Sequence, residues 1–219
     1  MGASMTASSS TLGMLLLLFA ACSCIHATEP KDDGDLVAKV CAKATSDFCH
    51  IHLTKKYCMS TLRKDTRSVR AKDARGLALV AIDLARRGAT AADAKAAAAL
   101  ERKSSEDAKR GLRYCRSDFA AVERLTALCR DEVESYKDKD GARDVMGMYY
   151  NTECAAKLVS VGENCGHYSW FLGHEFGEAL RKEFVDVARR TALVKAMVEA
   201  MIGMEDPVAG FDDEWDDDE

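Results

Sequence analysis

The stretch from Ser105 to Tyr136, SEDAKRGLRYCRSDFAAVERLTALCRDEVESY, places Cys115, Phe119, Val122, Thr126, Cys129, Val133 and Tyr136 at alternating steps of four and three. Steps of this kind return to one face of an α-helix, with charged residues filling the other positions. The alternation is also the seam of helices packed nearly antiparallel. A helix carrying such a stripe needs partners of the same kind, and three can be read along the chain.

The first spans about Ala71 to Lys103, with Leu77, Val80, Ala81 and Leu84 on one face and a local irregularity expected at Gly88 and Thr90. Another spans about Asp138 to Val161, with Val145, Met148, Tyr149, Thr152, Ala156 and Val159. The last spans about Gly173 to Gly203, with Phe176, Leu180, Phe184, Val187, Thr191, Val194, Val198 and Met201. The two prolines, Pro30 and Pro207, lie outside all of these. Alanine is abundant, few stretches are rich in β-branched residues, and strand-like alternation is missing, so helix is favoured nearly throughout. Links between the helices are short except at Gly162 to Leu172, which sets successive helices side by side. The fold class expected is all-α: an up-down-up-down four-helix bundle over 71–203, preceded by a helical hairpin over 35–64, stapled by disulfides. The hairpin is too small for a core of its own and is expected to lean on the bundle or project from it.

The ends of the chain read differently. Residues 1–27 hold no Asp, Glu, Lys or Arg, and an apolar run from Leu12 to Ala21 is followed by small residues up to Ala27. This is a secretory signal peptide in pattern. The run is about ten residues where a membrane span needs roughly 20, so no membrane is expected in the mature form. Residues 28–204 then make one domain, and 205–219 an acidic tail. The full chain carries −5. Phe211 to Glu219 holds Asp212, Asp213, Glu214, Asp216, Asp217, Asp218 and Glu219 with no base, so the body is slightly basic without it. Such a run repels itself and solvates, or serves to dock on a basic partner. Cys22 and Cys24 leave with the signal peptide. Cys41, Cys49, Cys58, Cys115, Cys129, Cys154 and Cys165 stay, an odd number that leaves at least one free or paired between molecules.

From Cys49 to Ala85 the chain reads CHIHLTKKYCMSTLRKDTRSVRAKDARGLALVAIDLA. A cysteine pair encloses eight residues and Leu62 follows. Next come Asp65, Arg67 and Ser68, then Gly76-Leu77-Ala78 and Ile82-Asp83-Leu84-Ala85. This strongly resembles the plant invertase and pectin methylesterase inhibitor family. Leu112-x-x-Cys115 with Phe119, and Cys154 further on, extend the likeness over about Leu36 to Ile202. The resemblance implies the same bundle and hairpin, with pairs Cys49–Cys58 and Cys115–Cys154. Three cysteines are then extra: Cys41 could compete for Cys49, Cys129 could be a buried thiol, and Cys165 could pair with Cys129 or Cys41. Two departures stand out. His52 and Lys55 occupy positions where the family usually has Thr and Pro. The loop Tyr136 to Arg143 lacks the Pro-Lys-Phe common in invertase inhibitors.

Catalytic chemistry finds little support. His50, His52, Cys49 and Cys58, or Cys165, His167 and His174, do not make the tight ligand spacings of a zinc site. His174-Glu175-Phe176-Gly177-Glu178 lacks the second histidine of a zinc-protease helix. No nucleophile elbow or phosphate loop occurs. The expectation is therefore a binding protein without catalytic residues, metal or cofactor. What the resemblance implies is a stoichiometric, reversible inhibitor that covers a substrate cleft. Its partner is pectin methylesterase or acid invertase, one to one, the former preferred, with no nucleic acid involved. Its place is secreted, in the apoplast or cell wall rather than the vacuole. The rival reading is a non-inhibitory extracellular binder. The candidate target contacts are Asp118, Glu123, Arg143, Asp144, Tyr150 and Asn151.

Overall fold

The computed structural model describes residues 35–44, 53–102, 105–137, 144–171 and 176–203. Among them the secondary structure is entirely helical. Four long helices form the bundle: α4 (Ala74–Leu100), α5 (Glu106–Ser135), α6 (Val145–Phe171) and α7 (Glu178–Ile202). Ahead of them lie α1 (Leu36–Ala44), α2 (Lys55–Arg63) and the short α3 (Thr66–Arg70). The signal-peptide and acidic-tail readings fall on 1–27 and 205–219, outside the described residues.

The stripe read on α5 is buried along its whole length, from Cys115 to Val133, with Tyr136 buried just beyond the helix. α5 packs against α4 and α6, and α7 closes the ring between those two. Contacts fix the directions. Asp93 pairs with Arg116 at 2.8 Å and Asp83 pairs with Arg130, so residues later in α4 meet residues earlier in α5. Arg190 donates to the Leu84 carbonyl at 3.0 Å and Lys95 pairs with Glu183, the same reversal between α4 and α7. The core centres on Phe119 and Phe184, ring centroids 5.3 Å apart, with Leu112, Leu158, Leu193 and Met197 fully buried around them. α4 faces it with Ala78, Ala81, Ala85, Ala89, Ala92 and Ala96, whose small side chains let α5 and α7 approach closely.

Helix ends follow local chemistry. The Asp73 side chain accepts from Gly76 N at 2.9 Å to start α4, and Ser105 does the same for α5 from Ala108 N. α7 stops at Gly203, whose φ of +67° only glycine adopts readily.

The hairpin leans on the bundle. Asp35 caps α1 and pairs with Arg63 of α2 at 2.5 Å. Val37, Leu53 and Leu62 are buried. The Tyr57 hydroxyl donates to Asp186 of α7 at 2.8 Å, and Asp186 pairs with Arg190 at 2.6 Å. Burial first, and the Asp186 carboxylate second, push the Tyr57 phenol well above its ordinary value. The Asp65-Thr66-Arg67-Ser68 motif is the joint between hairpin and bundle. Asp65 caps α3, Arg67 reaches both Asp65 (2.8 Å) and Asp83 (2.5 Å), Arg87 also holds Asp65, and Ser68 is buried. The Arg67 hydrogen bond, with Arg87 behind it, keeps the Asp65 carboxyl far below the usual carboxylate range.

Three expectations are corrected. The disulfides are Cys41–Cys58, Cys115–Cys165 and Cys129–Cys154, in place of Cys49–Cys58 and Cys115–Cys154. Cys129 is therefore no free thiol, and Cys49 lies outside the described residues. The reason is register. α5 and α6 run antiparallel, so Cys115 meets the late residue Cys165 while Cys129 meets the earlier Cys154. Cys154 and Cys165 are eleven residues apart on one helix, about 16 Å along its axis, too far for Cys115 to reach both levels. α6 also continues to Phe171, so the stretch after Gly162 that reads as a loop is largely helix. Gly88 likewise interrupts nothing in α4: it makes room for Arg190, whose Cδ would lie 2.7 Å from an added Cβ.

Gly162 is kept small by packing. A Cβ there would stand 2.7 Å from Thr191 Cγ2 and 3.0 Å from Thr191 Cβ, besides striking its hydroxyl. Thr191 is fully buried and stiff at χ1. Gly162→Ala should therefore lower unfolding stability by about 1–3 kcal/mol, despite the helix propensity alanine adds. Urea denaturation of Gly162→Ala with and without Thr191→Ala checks this. The second change should restore most of the loss, and strictly additive effects would show that the two residues do not clash.

Candidate functional site

Large apolar side chains left in solvent are the informative feature of a surface, since single ones are common and clusters are not. Among the described residues these are Val69, Tyr114, Leu128, Val145, Met146, Tyr149, Tyr150 and Tyr168. All but Val69 lie on α5 or α6. At 100° per residue, Tyr114, Asp118, Ala121, Leu125 and Leu128 fall within about 40° of one line on α5. On α6, Met146, Tyr150, Lys157, Asn164 and Tyr168 do the same. The two lines flank the outer seam between the helices. At one end Tyr114 stacks on Tyr168, centroids 5.4 Å apart and planes at 11°. At the other, Tyr149 and Tyr150 meet edge to face at 5.6 Å. The Cys115–Cys165 and Cys129–Cys154 bridges lie just beneath, fully or almost fully buried, and hold the two helices in fixed register.

The six residues predicted to touch a target are not brought together as a set. Tyr150 stands exposed on the seam. Asp118 is half-buried in it; one carboxylate oxygen is buried without a hydrogen-bond partner, while Asn164 across the seam bonds the carboxylate. Glu123 turns the other way, toward α4, and accepts from Thr90. Asp144 caps α6, accepting from Gly147 N at 2.9 Å. Asn151 is only 2% exposed and donates to the carbonyls of Gly147 (2.8 Å) and Glu132 (3.3 Å). It ties α6 to the end of α5 and cannot serve as a contact. Arg143 lies outside the described residues. Tyr114, Leu128, Met146 and Tyr168 are the exposed members that sequence reading did not single out, while Val145 and Tyr149, read as part of the packed stripe of this helix, are exposed because α6 turns the line of Asn151, Cys154, Ala155 and Leu158 to the core instead. Their signal was present: Tyr114 and Leu128 each precede a core cysteine by one position, marking a second apolar line beside the buried one.

Desolvation raises the Asp118 carboxyl above its ordinary value, and the Asn164 bond only partly opposes this. The folded chain thus holds this proton to higher pH than the unfolded chain does. Between the two values the unfolded state binds fewer protons, so the Asp118 contribution to stability falls as pH rises from the usual carboxylate range through the raised folded value. Asp118→Asn should accordingly match the wild type in strong acid and gain on it as pH rises through that window. Chemical denaturation across pH tests this, and a difference independent of pH would contradict it.

Other features offer less. A cleft of about 570 Å³ between the end of α4 and the start of α7 is lined by Lys95, Arg102, Phe176, Leu180 and Glu183, with Lys95 and Glu183 already paired. No cluster of three or more His, Cys, Asp or Glu placed to hold a metal occurs among the described residues, and no helix among them is long and apolar enough to cross a membrane.

A family model described as plant invertase/pectin methylesterase inhibitor matches residues 35–160, more than half of the chain. The match takes in the hairpin, α4, α5 and the first part of α6. No curated protein matches the chain.

Proposed function

Since the chain belongs to the plant invertase/pectin methylesterase inhibitor family, whose members are inhibitors rather than enzymes, we propose that it inhibits pectin methylesterase. The exposed aromatic and apolar seam of α5 and α6 would lie across the substrate cleft in a reversible one-to-one complex. The observation that carries this is the concentration of exposed tyrosines on two helices locked together by two disulfides. Tyrosine offers large contact area with few rotatable bonds. A preformed helical surface loses little further entropy on binding. The lack of Pro-Lys-Phe between α5 and α6 favours the methylesterase over invertase. Secretion belongs to the same reading: family members are extracellular, and residues 1–27 supply a signal peptide that would be removed.

An inhibition titration decides it. Oxidised protein is added stepwise to a plant pectin methylesterase and, separately, to an acid invertase, at mildly acidic and neutral pH. A break near one equivalent with the methylesterase alone is expected. A break with invertase alone would transfer the target, and no effect on either would refute inhibition of both.

A further inference from the structure

The cations of this chain gather on one side of the fold. Residues 35–102, the hairpin and α4, carry fourteen Lys or Arg against seven Asp or Glu, whereas residues 105–203, the other three bundle helices and their links, carry fifteen against seventeen. The densest stretch is Arg63 to Arg75, RKDTRSVRAKDAR, with six bases and two acids. We propose that this side is a docking surface for a linear polycarboxylate, de-esterified pectin, laid across α3 and the outward groove of α4.

The joint between hairpin and bundle turns its positive members outward. Arg67 and Arg87 hold Asp65, while Arg67 and Arg130 hold Asp83. The side chains of Arg67 and Arg87 are 42% and 58% exposed, those of Asp65 and Asp83 only 11% and 26%. A ligand arriving from solvent therefore meets guanidinium groups first, with the two carboxylates beneath them fixing their orientation. Lys64 precedes Asp65, Arg70 lies one turn beyond Arg67, and Arg86 precedes Arg87. All three are exposed, and none has an acidic partner among the described residues. Arg70 reaches only the Thr66 carbonyl, at 3.4 Å.

Arg86 and Arg87 also line a groove of about 520 Å³ that continues along α4 past Asp83, Thr90 and Ala91 to Ala94. From Asp83 to Ala94 it follows the helix axis for about 16 Å. Its far end is walled by small side chains, so it is a trough for an extended chain. The acids on this side are already engaged: Asp83 as above, Asp73 as the cap of α4, Glu134 with Arg130, and Glu123 with Thr90. The outermost charges that remain are cations.

Carboxylates suit these cations, because a guanidinium fork meets a carboxylate with two parallel hydrogen bonds. One exposed pair is weak, so useful affinity needs many at once, which a polymer with a carboxylate on each de-esterified unit supplies. Family members are extracellular. The proposed target makes such a polymer, since hydrolysis of each methyl ester leaves a carboxylate. The choice of pectin thus rests on the proposed target, whereas the polycarboxylate surface does not. α4 and α6 stand diagonally in the ring of helices, so the outward face of α4 is not the face that target would cover. Both faces can be occupied together, which gathers the inhibitor where the enzyme has already acted.

The test needs no target enzyme. Binding of the oxidised protein is measured on immobilised polygalacturonate and on the same polymer fully methyl-esterified, at low and high salt. Binding to the acid polymer alone is expected, with its loss at high salt. Lys64→Gln, Arg70→Gln and Arg86→Gln combined should weaken it about tenfold. The control combination Arg110→Gln, Lys157→Gln and Lys182→Gln removes the same charge from α5, α6 and α7 and should stay within about twofold of the parent. Thermal melts confirm that both variants are folded. Equal binding to the two polymers, or undiminished binding by the first variant, overturns the proposal. An equal loss in both variants also overturns it, by reducing the effect to net charge. If the protein binds polygalacturonate as expected but inhibits neither enzyme, the target reading fails and the surface stands. Inhibition without binding to polygalacturonate gives the reverse.

Discussion

Removing both α5–α6 disulfides, with Cys115, Cys165, Cys129 and Cys154 all replaced by alanine, should lower unfolding stability by about 7 kcal/mol, enough to leave the domain largely unfolded in dilute buffer. The figure follows from nested loops. Cys129–Cys154 spans 25 residues and Cys115–Cys165 spans 50 around it. Once the inner bridge is in place, the ring closed by the outer one shrinks to about 25 residues. By the loop-closure relation each bridge then contributes about 3.5 kcal/mol on top of the other. Removing either pair alone should therefore cost about the same, although one spans twice the sequence of the other. Cys41–Cys58 spans 17 residues and is independent of both, contributing about 3 kcal/mol. Urea midpoints of the three double variants and the fourfold variant test the scheme. A fourfold variant that stays folded with a loss below about 3 kcal/mol would sink it. A much larger loss for the outer pair than for the inner would show that the bridges do not share a ring.

Those bridges also show what a sequence can and cannot yield here. The four-and-three spacing assigned helix on all four segments because helical periodicity is local, and on α5 it also named the buried residues. On α6 it did not: Val145 and Tyr149 are exposed, and the buried line is Asn151, Cys154, Ala155 and Leu158. Pairing between cysteines depends on how far one helix slides along another, which no local pattern encodes. One bound on α6 was misjudged, because Gly162 was read as a loop signal when its role is to admit Thr191. With α6 ended there, Cys165 had no place on the seam, and nothing in the residues opposed the Cys115–Cys154 pair that the family resemblance implied. Two of the candidate contacts have structural uses that spacing alone does not reveal. Asp144 and Asn151 are polar residues near a helix start, and that position favours capping and backbone bonding over exposure, which is how both are used. Tyr150, one residue before Asn151, has the opposite fate because a step of 100° around α6 separates surface from core.

That step sets up the second large effect. Tyr150→Ala should raise the inhibition constant toward pectin methylesterase about 30-fold, which is about 2 kcal/mol of binding free energy. Leu128→Ala, on the facing line of α5, should weaken inhibition less, since leucine is a poorer anchor than tyrosine at interfaces. Both side chains are exposed in the free protein, so neither change should move the urea midpoint by more than about 0.5 kcal/mol. Two controls separate contact from scaffolding. Glu123→Ala alters a side chain turned toward Thr90 of α4 and should leave inhibition near the wild-type value. Asp144→Ala removes the α6 cap and should lower stability by about 1 kcal/mol. Titrating each variant against the enzyme, with circular dichroism to hold the folded fraction fixed, places the contact on the α5–α6 seam if Tyr150 and Leu128 act while Glu123 does not. Equal inhibition by the Tyr150 and Leu128 variants and the wild type would move the contact off this face. The seam's exposed tyrosines would then belong to some other partner, and the rigid double staple beneath them would need a different explanation.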